Sequence, residues 1–203
     1  MPLVRFPYGK THIEYDFPQE RLRGCLISAL EEYVPAASGA ELIAGALKHP
    51  IGGTRLSELA AGKQKVVILA SDHTRPVPSK LILPPMLREI RAGNPGAQIT
   101  ILVATGCHRG TTADELREKF GEDILRRETI VIHDCDAPDA VTLGTLPSGG
   151  KLVVNRLAAE ADLLVAEGFI EPHFFAGFSG GRKSLLPGVA ARSTVLYNHS
   201  ADF

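Results

Sequence analysis

The fold is decided by Lys65-Val-Val-Ile-Leu-Ala70, a short run of aliphatic and β-branched residues that does not alternate with polar ones. Three later runs have the same character: Ile99-Thr-Ile-Leu-Val-Ala104, Thr129-Ile-Val-Ile-His133 and Asp162-Leu-Leu-Val-Ala-Glu167. Short, nearly continuous apolar runs are typical of parallel strands that are covered on both faces. The four runs therefore predict a parallel sheet.

Helix-like segments separate the four runs. We expect helices over Pro78–Ala92, Ala113–Phe120 and Val153–Ala161, and Thr112-Ala-Asp-Glu115 has the spacing of a capping box at the start of the second. Pro84-Pro85 weakens the first helix, because proline removes a backbone donor. Alternating strands and helices predict an α/β fold, with a Rossmann-like, mainly parallel sheet that has helices on both faces.

The N-terminal residues predict a β-hairpin ahead of this core. Leu3-Val-Arg-Phe-Pro7 and Thr11-His-Ile-Glu-Tyr-Asp-Phe17 flank a short turn that contains glycine. We expect the hairpin to occupy residues 1–18 and a helix to follow over Gln19–Tyr33. Because 203 residues with 44% hydrophobic side chains can bury one sizeable core, we expect a single α/β domain over residues 1–203.

Charge and composition exclude several classes of partner. The 22 basic and 23 acidic side chains nearly cancel and form no block of like charge, so we expect no binding to nucleic acid or to a membrane surface. The first residues lack the apolar core of a signal peptide, and no run of about 18 apolar residues occurs. We therefore expect a soluble, cytoplasmic protein that binds a small molecule.

Reactive residues follow three of the expected strands. In open α/β sheets ligands bind beyond the carboxyl ends of the strands, so these loops are the first candidates for a site. In Ser71-Asp-His-Thr-Arg-Pro-Val-Pro-Ser79, Arg75 offers a planar fork for a carboxylate or phosphate, and Asp72 could orient it by a charge-assisted hydrogen bond. The alternative is a local ion pair that braces a proline-rich turn.

The second loop, Ala104-Thr-Gly-Cys-His-Arg-Gly-Thr-Thr112, contains His108 between glycines. A histidine at a corner between a strand and a helix is well placed as a general acid or base, because imidazole titrates near neutral pH. The alternative is a histidine with a purely structural role.

The third loop runs from Glu171 to Gly188 and brings His173 and Lys183 together with glycines. Glycine permits φ > 0 and close approach of a ligand, lysine is a nucleophilic amine, and histidine is a base or a metal ligand. The alternative is a flexible loop with an incidental lysine. Gly177–Ser184 also resembles a phosphate-binding P-loop, but Arg182 stands where that pattern needs glycine.

A further histidine, His199, follows a helix-like run from Ala190. Together with His108 and His173 it gives three imidazoles that could bind a metal. Their spacing in sequence leaves open whether they converge in space.

Taken together, these motifs resemble one family. Asp72-His-Thr-Arg-Pro76, Gly106-Cys-His-Arg109, the Glu171–Gly188 loop and Asn198-His199 occur in order, and the set is similar to the amino-terminal, cofactor-tethering domain of the nickel-pincer lactate racemase family. The motifs span positions 72 to 199. The resemblance is specific because several motifs occur together, whereas none of them alone would suffice.

The resemblance implies a role for each candidate residue. Lys183 would be covalently attached to a nickel-pincer nucleotide, nickel pyridinium-3,5-bisthiocarboxylic acid mononucleotide, and His199 would bind its nickel. The acid/base catalysts would be His108 and His173. Arg75 would bind the substrate carboxylate, and Asp72 would complete the catalytic residues by orienting Arg75. The other cofactor-binding residues would be Gly177, Ser179, Gly180 and Gly181.

The activity that the resemblance implies is racemisation or epimerisation of a small-molecule 2-hydroxy acid, with lactate as the default, by reversible hydride transfer. Two histidines suit this reaction, because one removes the hydroxyl proton of one enantiomer and the other returns a proton when the opposite enantiomer forms. The proteins that synthesise the cofactor would be partners.

Members of the resembled family carry a second, C-terminal α/β domain that is absent from this chain. We therefore expect the 203-residue chain to be inactive alone, because a closing domain excludes water and completes the site. Whether it carries the cofactor depends on the proteins that synthesise the nucleotide. The uncovered docking surface would favour a homo-oligomer. Two other interpretations remain: a P-loop-like nucleotide-binding module and a non-catalytic metal-binding domain.

Overall fold

The four apolar runs pair as one parallel sheet, as predicted. The computed structural model describes residues 3–24, 26, 28–174 and 176–200. Helices alternate with the strands of this sheet, which confirms the predicted α/β class.

The chain divides into two compact units, residues 1–38 and 39–203. The first contains β1 (Leu3–Tyr8), β2 (Thr11–Asp16) and a 3-10 helix over Ala29–Glu32. β1 and β2 pair antiparallel, and the two-residue turn between them begins with Gly9 at φ 59°. Glycine is favoured at this position of a tight hairpin because the backbone there is left-handed. The predicted N-terminal hairpin is confirmed.

The predicted helix over Gln19–Tyr33 is wrong over most of its length. Among the described residues of this segment only Ala29–Glu32 is helical, as a single 3-10 turn, and Cys25 and Ile27 lie outside the described residues. Leu30 is exposed, so the segment lacks the buried apolar face that stabilises a short helix in water.

The second unit contains the parallel sheet and its covering helices. The helices are α1 (Gly39–Lys48), α2 (Leu56–Ala60), α3 (Ser79–Gly93), α4 (Ala113–Phe120), α5 (Glu122–Arg127), α6 (Arg156–Ala159) and α7 (Arg192–Asn198). The strands are β3 (Lys65–Ser71), β4 (Gln98–Ala104), β5 (Thr129–Ile132), β6 (Val141–Thr145), β7 (Lys151–Val154), β8 (Leu163–Ala166), β9 (Pro172–His173) and β10 (Gly177–Phe178). In the part of the chain that the structure describes, no helix is long and apolar enough to cross a membrane.

The parallel sheet has the strand order β5-β4-β3-β8. Its central strand β3 is buried from Val66 to Ala70. One face packs against α3 and α4 through Leu83 and Phe120, and the other packs against α6 and the segment before α7 through Ala158 and Val189. Because both faces are covered, the strands are apolar without alternation.

The helices on the first face agree closely with the sequence patterns. Helix α3 continues through Pro84-Pro85, because burial of Leu83 and Ile90 offsets the missing backbone donors. Helix α4 begins at the predicted capping box, where the Thr112 hydroxyl accepts from the Glu115 N–H at 3.3 Å and the Glu115 carboxylate accepts from the Thr112 N–H at 2.8 Å.

The predicted helix over Val153–Ala161 is wrong in its first part. The Val153-Val154 pair belongs to β7, which pairs antiparallel with β6, and only Arg156–Ala159 is helical. β-Branched side chains favour the strand, and Asn155 begins the helix by accepting the Leu157 N–H at 3.0 Å.

A buried histidine joins the sheet to the segment before α7. His133 follows β5 and is 4% exposed; its Nε2–H donates to the Ala190 carbonyl at 3.0 Å, and its Nδ1 accepts from the Asn155 amide at 3.2 Å. Burial lowers the pKa of His133 below its ordinary value of 6.5, although the Ala190 carbonyl and Asp134 oppose the shift. The folded protein therefore favours the neutral ring.

We expect the free energy of unfolding to fall as the pH is lowered below 6.5, because the unfolded chain then binds a proton on His133 that the folded chain does not. The contribution of neutral His133 to stability is complete above pH 6.5, and it is lost as the pH falls through the pKa of His133 in the folded protein. Urea unfolding at about pH 7.5 and about pH 5.5 measures it. His133→Gln should show a smaller difference between the two, and an equal difference would contradict the assignment.

Candidate active site

A cleft of about 330 Å³ opens at the carboxyl ends of β3, β4 and β8. All three predicted loops contribute to it, together with the end of α7. The described residues that line it are Ser71, Asp72, Arg75, Ala104, Thr105, Gly106, Cys107, His108, Gly168, Phe169, His173, Ser179, Gly180, Lys183, Ser184, Pro187, Gly188, Val195 and His199.

A hydrogen bond in the cleft joins Asp72 to His108. The register of β3 and β4 places Ser71 opposite Ala104, so the loops that follow these strands begin side by side. His108 Nδ1 donates to Asp72 Oδ2 at 2.7 Å, and Asp72 is only 2% exposed. The interpretation that Asp72 orients Arg75 is therefore corrected: the side-chain partner of Asp72 across the cleft floor is His108.

Thr74 fixes the second oxygen of the Asp72 carboxylate. Its N–H and hydroxyl donate to Oδ1 at 3.1 and 2.6 Å. Burial alone would raise the pKa of Asp72, but the hydrogen bonds from Thr74 and His108 outweigh burial and hold that pKa below 3.8. Asp72 is thus an anion at neutral pH. It keeps the proton of a neutral His108 on Nδ1, so Nε2 is the nitrogen that can accept a proton from a ligand.

A second group of cleft residues is basic. Partial burial lowers the pKa of Lys183, and the charge of Arg75 lowers it further, while Glu171 opposes the shift. Partial burial also lowers the pKa of His173, as do the charges of Lys183 and Arg75. Since Asp72 is already paired, the excess of positive charge favours an anionic ligand. The lowered pKa also leaves more of Lys183 as a neutral, nucleophilic amine.

The loop that carries Lys183 is held closed by Ser179. The Ser179 hydroxyl accepts from the Glu171 N–H at 2.9 Å and donates to the Phe169 carbonyl at 3.2 Å. Gly180 has φ 77°, and a Cβ there would lie 2.4 Å from the Phe169 oxygen, so only glycine fits. Of the predicted cofactor-binding residues, Lys183, Ser179 and Gly180 line the cleft, whereas Gly177 and Gly181 lie in the loop outside its lining.

His173 is held by the short β9–β10 hairpin. The Ala176 N–H donates to His173 Nδ1 at 3.3 Å, and the ring stacks on Phe174 with centroids 5.1 Å apart. Because Nδ1 accepts a hydrogen bond, the proton of the neutral ring is on Nε2. His173 and His108 therefore favour opposite tautomers within one cleft.

His199 ends α7, and its Nδ1 donates to the Val195 carbonyl at 2.8 Å. This bond makes Nε2 the nitrogen suited to a metal. The three imidazoles do not form a metal site by themselves: among the described residues, three or more ligand atoms within 4.8 Å of one another occur only in Asp134-Cys135-Asp136. A metal bound to His199 would therefore need ligands besides these three histidines.

Helix α7 is anchored on the β6–β7 hairpin. The Thr194 hydroxyl donates to the Lys151 carbonyl at 2.8 Å and accepts from the Val153 N–H at 3.0 Å. The Tyr197 hydroxyl donates to the Ser148 carbonyl in the turn of the hairpin. The hairpin thus positions His199, which follows the last residue of α7.

The local structure disfavours the P-loop alternative. Lys183 and Ser184 lie in a 3-10 helix over Gly181–Ser184. A P-loop instead presents successive backbone N–H groups at the start of a helix of several turns, where they surround a phosphate.

Two residues that shape the site were not singled out from the sequence. Thr74 donates twice to Asp72, and the Asp-x-Thr spacing, which is typical of an Asx turn, is the signal that could have shown it. Glu167, directly after β8, is 3% exposed. In sequence it is only the last residue of an apolar run, so no pattern marks it.

Proteins with a Rossmann-like fold bind their ligands at the carboxyl ends of parallel strands, and the fold and the position of the cleft place this chain in that class. Residues 8–203 match the family described as the lactate racemase N-terminal domain. The chain belongs to this family, which confirms the resemblance drawn from the motifs.

Two curated relatives are lactate racemases. The one from Thermoanaerobacterium thermosaccharolyticum is 53% identical and the one from Lactiplantibacillus plantarum is 50% identical, each over 204 residues that cover 100% of this chain and 48% of the relative. The chain therefore spans about half the length of the curated relatives it matches.

Two solved structures are similar to this chain. The lactate racemase apoprotein from Thermoanaerobacterium thermosaccharolyticum, 53% identical, superposes with a TM-score of 0.88 over 100% of this chain and 47% of that one. A Thermotoga maritima protein, 28% identical, superposes with a TM-score of 0.58 over 69% of this chain and 38% of that one.

We expect Lys183 to react with cyanate faster than the exposed Lys151 at about pH 8. The reason is that the lowered pKa of Lys183 leaves a larger fraction of its side chain as the neutral amine. Competitive labelling and peptide mass spectrometry give the ratio of the two rates. Arg75→Met should slow the reaction, since the Arg75 charge lowers that pKa. Arg182→Met, a neighbouring arginine outside the cleft lining, is the matched control. Equal rates for the two lysines would contradict the expectation.

Proposed function

We propose that this chain is the amino-terminal, cofactor-tethering half of a racemase or epimerase of 2-hydroxy acids, with lactate as the default substrate. The observation that carries the proposal is that one cleft contains both the Asp72–His108 pair and Lys183, whose pKa is lowered by burial and by Arg75. The match of the whole chain to lactate racemases supports it.

The cleft suits a nickel-pincer nucleotide attached covalently to Lys183. An amine with a lowered pKa is the nucleophile that attachment needs, and the surrounding positive charge suits the phosphate and carboxyl groups of a mononucleotide. Gly188 lines the cleft, and a Cβ there would lie 2.4 Å from the Ser184 carbonyl oxygen, so only glycine fits this close approach of the backbone. His199 would bind the nickel through Nε2. When bound, the nucleotide would supply the reversible acceptor for the hydride on the substrate Cα.

The substrate carboxylate would bind to Arg75. Its guanidinium can form two parallel hydrogen bonds to a carboxylate, which fixes the orientation of a small hydroxy acid as well as its position. This orientation converts a collision into a productive arrangement of the reacting atoms.

The two histidines would exchange the hydroxyl proton, each for one enantiomer. When His108 takes the proton on Nε2, the buried Asp72 carboxylate stabilises the charge that the ring gains. His173 has a basic neighbourhood instead, and its lowered pKa keeps it neutral and able to accept a proton at neutral pH. Because the surroundings of the two rings differ, the two directions of the reaction should differ in their pH dependence.

The curated relatives extend well beyond the region that this chain covers. We propose that the region of the relatives beyond this part closes the cleft, so residues 1–203 alone are inactive or nearly so. The proteins that synthesise the cofactor are its expected partners, and an uncovered docking face favours a homo-oligomer.

Production of the chain together with the cofactor-synthesis proteins tests the proposal. The intact mass should increase by a single nucleotide adduct, nickel should be equimolar with the adduct, and peptide mapping should place the adduct on Lys183. Lys183→Ala should remove the adduct, whereas Arg182→Ala, in the same 3-10 turn, should keep it. An unmodified wild-type chain, or an adduct that survives Lys183→Ala, would contradict the proposal.

Asp72→Asn should lower kcat in a cofactor-loaded protein that contains both halves. The amide keeps the shape of the side chain but loses the charge and the fixed tautomer of His108, and such changes lower rates on the order of 10²- to 10⁴-fold. Steady-state kinetics with both enantiomers measure the effect. Asp139→Asn, at an exposed ion pair with Arg156, is the control and should leave kcat unchanged. A kcat for Asp72→Asn equal to that of the control would refute the role of the pair.

A further inference from the structure

A buried carboxylate lies beside the cleft and has no part in the chemistry described above. Glu167 directly follows β8, is 3% exposed, and continues the pairing with β3 by donating its N–H to the Leu69 carbonyl at 3.0 Å. Ser79 donates its hydroxyl to Oε1 at 2.6 Å, and within the described chain Oε2 has no hydrogen-bond partner. A buried carboxyl group with one side-chain partner costs free energy, so some other gain must offset it.

Ser79, the partner of Glu167, ends the loop that carries Asp72 and Arg75. Its side chain is fully buried, and its N–H donates to the Val77 carbonyl at 2.8 Å. Strand β3 fixes the start of this loop, and Glu167 fixes its end through Ser79. The same carboxylate stands directly before Gly168, which lines the cleft, so it connects two walls of the site.

Lys119, from α4, fixes the middle of the same loop. Its Nζ donates to the Arg75 carbonyl at 3.2 Å. Burial lowers the pKa of Lys119, and the carboxylates of Glu167 and Asp72 oppose that shift, so the amine lies in the field of both. Two side chains from different elements therefore hold one loop at two points.

We infer that Glu167 is a positioning residue: through Ser79, and together with Lys119, it holds Arg75 in place and keeps the Thr74 donors on the Asp72 carboxylate. The inference rests on the proposed function, because this position matters for the reaction only if Arg75 and the Asp72–His108 pair act on a ligand. A guanidinium forms two parallel hydrogen bonds to a carboxylate only over a narrow range of positions. A loop that shifts would lose this geometry and the orientation of His108 together.

Amide hydrogen exchange and ¹⁵N NMR of the 203-residue chain test the inference without cofactor or activity. Glu167→Ala should raise exchange at Thr74 and Arg75 by about tenfold relative to the core strands, the effect of one lost hydrogen bond. The ¹⁵N shifts of neutral His108 should change from the Nδ1–H tautomer to a mixture with Nε2–H. Glu167→Gln, whose carbonyl oxygen can still accept from Ser79, should restore both readouts.

Glu118→Ala, at an exposed glutamate of α4, is the matched control and should change neither readout. If Glu167→Ala does not fold, Ser79→Ala removes only the hydroxyl donor and should give the same two changes. The inference is overturned if exchange at Thr74 and Arg75 rises no more than in β3 and β4, or if the His108 tautomer is unchanged. Neither readout needs an adduct on Lys183. The role of Glu167 can therefore be tested even if the proposed function is wrong.

Discussion

Parallel pairing of β3 with β4 on one side and β8 on the other is the constraint on which the rest of the structure depends. It brings the ends of three strands to one edge of the sheet, with Ser71 beside Ala104 and Leu69 beside Ala166. Loops far apart in sequence then begin side by side, and the residues that they carry meet in one cleft. The apolar strands themselves carry no chemistry, but their register fixes which loops can exchange hydrogen bonds.

The cleft separates charge in a way that suits an anionic ligand. Its carboxylate, Asp72, is buried, and hydrogen bonds from Thr74 and His108 stabilise its negative charge. Lys183 and Arg75 lie on partly exposed loops, and each disfavours additional positive charge on its neighbours. Binding an anion among them would relieve this repulsion, and the resulting gain is a physical reason for such a cluster to exist.

Local signals in the sequence predicted local structure well. The run Lys65–Ala70, the capping box at Thr112 and the turn glycine Gly9 each specify a conformation through neighbouring residues, and each prediction is confirmed.

Two predicted helices are wrong where the structure depends on distant residues. The first part of the helix expected over Val153–Ala161 is a strand, because Val153 and Val154 pair with β6, and the local sequence does not show this pairing. The expected helix over Gln19–Tyr33 is wrong because its apolar residues, such as Leu26 and Leu30, are exposed and give no buried face to stabilise it. The candidate site was likewise predictable only in part. Its loops could be recognised from several motifs that occur in order, whereas the pairing of Asp72 with His108 depends on the register of β3 and β4.

The anchoring of α7 on the β6–β7 hairpin separates the support of His199 from the support of Lys183. The tyrosine and threonine of α7 bond to the hairpin, whereas the lysine loop closes on its own Ser179. The two residues that would bind one cofactor therefore have different hydrogen-bonded supports, although Val195 of α7 packs with Leu185 and Leu186, which follow Lys183. A substitution in the turn of the hairpin would shift His199 through Tyr197, without altering any residue that lines the cleft.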